Sequence, residues 1–227
     1  MEFLTTVVRF FQNGGPFMYP IALVLFVGIA IVLERWIFLN RARRSNRKAF
    51  AQMLPMLRDQ QYGQVIDLAE KKNSAPVTGI IASGIARLQQ SAGRNEIEYA
   101  MEEGVMEAVP RLEKRTPYLA MLANVATLLG LLGTIIGLIA AFTAVANADP
   151  SEKATLLSQS ISVAMNTTAF GLMSAIPLLI CHAMLQTKTT DIVDTLEMAG
   201  VKFLNLLSDS SRGQSRAPVG SVDPVSR

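Results

Sequence analysis

Residues 116–148 read TPYLAMLANVATLLGLLGTIIGLIAAFTAVANA, 33 positions without one Asp, Glu, Lys or Arg. A helix crosses a bilayer with about 20 predominantly apolar residues, so this stretch spans with length to spare. Two further charge-free gaps, Phe10–Leu33 and Ala154–Thr187, run for 24 and 34 residues. As straight helices the two longer gaps reach about 50 Å, more than the hydrocarbon thickness. The sequence therefore predicts an all-α integral membrane protein with three transmembrane helices, the second and third continuing into the cytoplasm.

Composition agrees. Half of the 227 residues are hydrophobic and 17% are charged, against about 25% charged in a soluble domain. One cysteine, Cys181, excludes a disulfide framework, and one histidine, His182, excludes a His-rich metal centre. A formal charge of +3 is too small to imply nucleic acid as a partner. A cleaved signal peptide would begin with a basic segment, whereas here the basic cluster follows the first apolar run. The first span reads as a retained anchor.

Arg35, Arg41, Arg43, Arg44, Arg47 and Lys48 follow that span, while Arg9 and Lys153 are the basic residues of the other side. Basic residues near span ends stay cytoplasmic, which places the N-terminus outside and the C-terminus inside. The expected organisation is an outer segment 1–15, span one at 16–39 and a cytoplasmic helical region at 40–115. Span two follows at 116–147, an outer loop at 148–155 and span three at 156–187. A cytoplasmic C-terminal helix at 188–207 and a disordered tail at 208–227 complete it. Asp149-Pro150-Ser151 is a turn signal. Asn95-Glu96-Ile97-Glu98 resembles a capping box, and its helix is expected to run into span two through a kink at Pro110 or Pro117.

No HExxH, P-loop, GxGxxG or GxSxG pattern occurs, and no acid, base or metal-ligand cluster falls inside a span. An enzyme has no active site here, and neither a cofactor nor a metal is expected. Gly130, Gly133 and Gly137 recur in span two, with Gly171 in span three. Small residues let helix backbones approach closely in lipid, and the span-two stripe is expected to hold an oligomer together. Thr127 and Thr134 are seven apart and share a face. Span three adds Asn166, Thr167 and Thr168. Hydroxyls bond back to their own helix without strain, but a carboxamide in lipid needs a partner or water. A polar cavity or interhelical network is expected.

GLLGTIIGLIAAF at 130–142, AMNTTAFGLMSAIP at 164–177, the order of spans and the large inner segment together resemble the MotA/TolQ/ExbB proton-channel family, on its TolQ/ExbB-like branch. The resemblance covers roughly residues 15–205. It implies an inner-membrane multi-pass protein of bacteria, assembled as a homopentamer whose spans two and three line a pore. That pore would hold the single spans of an ExbD/TolR-like partner, which supplies an intramembrane aspartate, with a TonB- or TolA-like transducer beyond it. The family's pore threonines map onto Thr134 and Thr168, with Thr127, Asn166 and Thr167 as further ion-path candidates. Where TolQ and ExbB proteins carry a glutamate five residues before the span-three threonine, this chain has Val163. Proton and sodium both remain open as the coupling ion, as does the process driven: import, envelope maintenance or motility. The competing reading is a membrane scaffold that assembles partners without conducting ions.

Overall fold

A computed structural model describes residues 14–71 and 75–215. The first thirteen residues of the expected outer segment, and the tail from 216, lie outside the described residues. Among the described residues six helices follow in order: α1 (Met18–Arg58), α2 (Tyr62–Glu70), α3 (Pro76–Gln89), α4 (Arg94–Glu113), α5 (Thr116–Asn147) and α6 (Lys153–Ser215). Among the described residues, three helical stretches are long and apolar enough to cross a membrane, and they cover residues 18–33, 116–147 and 154–187 of the three charge-free gaps. All-helical structure is what lipid demands, because each span must satisfy its backbone hydrogen bonds within itself.

The chain divides into two compact units. The first joins residues 14–39 of the described chain to 113–189 and contains the membrane-crossing parts of α1, α5 and α6. Its outer surface is apolar: Phe26 is 71% exposed and Phe142 65%. Such side chains are costly in water and at rest in hydrocarbon. Inside the unit, a Cβ at Gly28 would lie 2.6 Å from Leu178 Cδ2, so span one presses its backbone on a buried leucine of span three. Asp149, Pro150 and Ser151 form the turn between α5 and α6, where the Glu152 and Lys153 amides donate to the Asp149 carbonyl.

The second unit takes residues 40–112 and 190 onward. Met53, Leu57, Val65, Ile81, Ile85, Leu196 and Phe203 form its core. The N-terminus of α3 has no side-chain cap from Ala75. Buried Asn46 on α1 supplies one instead, its Oδ1 accepting from the Val77 amide at 3.3 Å. A cap of this kind contributes about 1 kcal/mol.

Four boundary expectations change. α1 runs unbroken from span one to Arg58, and α6 from span three to Ser215. The C-terminal helix is thus a continuation of span three, and helix extends into the region expected to be disordered from Ser208. Pro110 sits within α4. The chain breaks instead at Arg115, whose φ of 68° is left-handed, with Pro117 in the first turn of α5. Proline fits there because the first helical amides lack intrahelical partners anyway. The capping box also fails: α4 begins at Arg94, and the Glu96 and Ile97 amides both donate to the Gly93 carbonyl.

Candidate ion path

Spans two and three meet at glycine. A Cβ on Gly171 would fall 2.8 Å from the Ala126 carbonyl oxygen and 3.0 Å from Gly130 Cα. One on Gly130 would fall 3.3 Å from the Cα atoms of Gly171 and Thr168, and one on Gly137 would fall 2.9 Å from Ala164 Cβ. Gly133 lies against Thr167. The span-two stripe therefore packs on span three of the same chain. The expectation that this face joins separate copies is corrected: its side is already occupied within the protomer.

This close approach decides where each hydroxyl goes. Thr168 Oγ1 donates to the Gly130 carbonyl at 2.8 Å, a bond between spans. Thr134 Oγ1 donates to the Leu131 carbonyl at 2.6 Å, and Thr127 Oγ1 to the Ala123 carbonyl at 3.1 Å. Thr134 and Thr127 each follow by one residue, about 100° round the helix, a buried position that faces span three (Gly133, Ala126), and neither is buried. Their hydroxyl protons are used locally, but their oxygen lone pairs remain beside the seam between the two spans.

Thr167 differs. It is 2% exposed, and its Oγ1 lies 2.6 Å from the Gly14 carbonyl and 3.0 Å from the Val163 carbonyl. Gly15, with φ +73°, makes the turn that brings Gly14 there, and a Cβ on it would lie 3.1 Å from Val163 Cγ1. Val163 and Thr167 together clasp the entry to span one. Asn166 is partly exposed and forms no side-chain hydrogen bond among the described residues. Two residues subtend about 200° on a helix, so Asn166 and Thr168 point to opposite sides of span three. The five polar candidates are not one row. Thr127, Thr134 and Thr168 border the seam, Thr167 is buried against the N-terminal segment, and Asn166 faces away from span two.

Charge collects at the ends of the spans. Arg115 pairs with Glu34 at 3.1 Å, the Lys188 ammonium sits 3.1 Å from the centroid of the Trp36 ring, and Arg35 stacks over Phe38 at 4.6 Å. The Arg35–Trp36 pair in sequence signals a membrane interface, but Lys188, which meets Trp36, and Arg115, which pairs with Glu34, are distant in the chain and leave no local pattern. Among the described residues no group of three metal-ligating side chains occurs.

The sequence pattern of the MotA/TolQ/ExbB proton channel family matches residues 72–198. The chain belongs to that family. The match runs through the second and third spans and the helices that adjoin them. An ExbB homolog of Methanothermobacter thermautotrophicus, named for biopolymer transport, is 28% identical over 87% of this chain and 69% of its own. An ExbB-like protein of Synechocystis, likewise named, is 28% identical over 87% of this chain and 79% of its own. A Tol-Pal system protein TolQ of Haemophilus influenzae is 35% identical over 41% of this chain and 40% of its own. This MotA/TolQ/ExbB member thus resembles proteins of both the ExbB and TolQ kinds.

Proposed function

We propose that this chain is the channel subunit of an ExbB/TolQ-type energy-transducing complex in a bacterial inner membrane. It couples an ion gradient to transport or envelope work through an ExbD/TolR-like single-span partner. One observation carries the reading. Spans two and three set the hydroxyls of Thr127, Thr134 and Thr168 along their seam, with no Asp, Glu, Lys or Arg in either span. Hydroxyl and carbonyl oxygens replace part of an ion's hydration shell, but at neutral pH they store no proton. The titrating carboxylate must come from a second chain. Val163 at the position of the family's glutamate is consistent with this, and its packing on Gly15 gives it a structural task instead. Nothing in this arrangement supports an enzymatic role.

The test is ion flux in proteoliposomes containing this chain with or without a single-span protein that carries an intramembrane Asp. Proton or sodium flux is expected with both chains together. Conduction by this chain alone would overturn the borrowed carboxylate, and absence of flux with every such partner would leave the scaffold reading standing.

The proposed orientation puts residues 40–115 in the cytoplasm and the 148–153 turn outside, following the asymmetry of Lys and Arg. Cysteines placed at Ser45 and Ser151 in a Cys181→Ser background should react with an impermeant reagent from opposite sides of the membrane. Labelling of both from one side would contradict the three-span topology.

A further inference from the structure

Lipid accounts for exposed apolar side chains on the spans but not for those on the second unit, which is rich in charge. There, α4 and α6 flank a groove of about 390 Å³ whose lining includes Met106 and Val201, 71% and 53% exposed. Glu98, Glu102 and Glu197 line it as well. None of the three has an ion pair among the described residues. An open apolar groove with an acidic rim on a water-facing surface calls for a basic, partly apolar occupant.

The same unit carries a surface of that chemistry on α1. Arg44, Arg47, Ala51, Pro55 and Arg58 are all exposed and recur at steps of three and four, which aligns them as one ridge. Lys48 lies beside them. These cations too have no ion pair among the described residues.

We infer that the α1 ridge of one copy docks in the α4–α6 groove of the next. Acidic groove and basic ridge are different surfaces, so the contact is head-to-tail, and successive copies close a ring rather than a two-fold dimer. Charge at the rim sets register and excludes the wrong neighbour, while Met106 and Val201 receive the Ala51–Pro55 segment. This inference rests on the homo-oligomeric reading above and adds its contact.

The experiment uses two full-length copies with different tags, both Cys181→Ser, co-expressed in membranes. One carries Arg47→Cys and the other Met106→Cys. A short bismaleimide should join the two tags at least tenfold more efficiently than when the second copy carries Gln89→Cys. Arg44→Glu with Arg58→Glu in the first copy should reduce the cross-link at least tenfold, and Glu102→Lys with Glu197→Lys in the second should restore it. Native mass spectrometry on the same sample separates the failures. An oligomer without the cross-link overturns the ridge-and-groove contact alone. So does an oligomer whose Arg47→Cys thiol is shielded only in vesicles of anionic phospholipid, which assigns the ridge to lipid. A monomer overturns the oligomeric reading as well.

Discussion

Gly171→Ala should destabilise the protein by about 1–3 kcal/mol, the range for forcing one group into a filled site. The new methyl carbon would sit 2.8 Å from the Ala126 carbonyl oxygen and 3.0 Å from Gly130 Cα. Both are backbone atoms of a helix, so neither can rotate away; the two spans must separate, weakening the Thr168–Gly130 bond. Gly79→Ala is the matched control. Gly79 lies within α3, and a Cβ there meets nothing within 4 Å, so the same change should stabilise by about 0.5–1 kcal/mol through helix propensity. Thermal unfolding in detergent reads both signs. If the glycine face joined separate copies instead, Gly171→Ala would release folded protomers with an unchanged melting temperature, and that result would refute the intrachain packing.

The contrast shows which features the sequence carries. Charge-free gaps are counts along the chain and specify the spans without tertiary information. Asp149-Pro150-Ser151 works likewise, because a turn is made by adjacent residues. The glycine stripe is visible as a period, but a period specifies a face and not what meets it. Whether span three or another copy covers Gly133 depends on the α5–α6 turn, which returns the chain beside span two. Thr167 and Thr168 are neighbours in sequence with the same chemistry. Only the placement of Gly14 and Gly130 around them makes one a clasp and the other a bond across the seam. Asn46 is similar: no cap signal precedes α3, since its cap comes from another helix. The break at Arg115 escaped because two prolines nearby offered more familiar causes for it.

Thr168→Val should abolish partner-dependent flux, by tenfold or more, while leaving the protein folded and assembled. Valine keeps the shape of threonine and removes the oxygen. The lost bond to Gly130 costs about 0.5–1.5 kcal/mol, nearer 0.6 in a membrane because the disordered alternatives also find partners. That is too little to unfold the protomer. An ion meeting valine at the seam loses one oxygen where hydrocarbon makes desolvation most expensive. Thr168→Ser keeps that oxygen and should retain most of the flux. Thr167→Val gives the opposite pattern: its hydroxyl is committed to Gly14 at 2.6 Å, so its loss should lower the melting temperature more than the flux per folded protein. Flux in proteoliposomes with the Asp-bearing partner, measured with and without sodium at fixed pH, separates the roles and identifies the ion. Full flux in the Thr134→Val, Thr168→Val double variant would remove both hydroxyls from the path. The seam would then be a packing interface, and the ion would have to cross elsewhere.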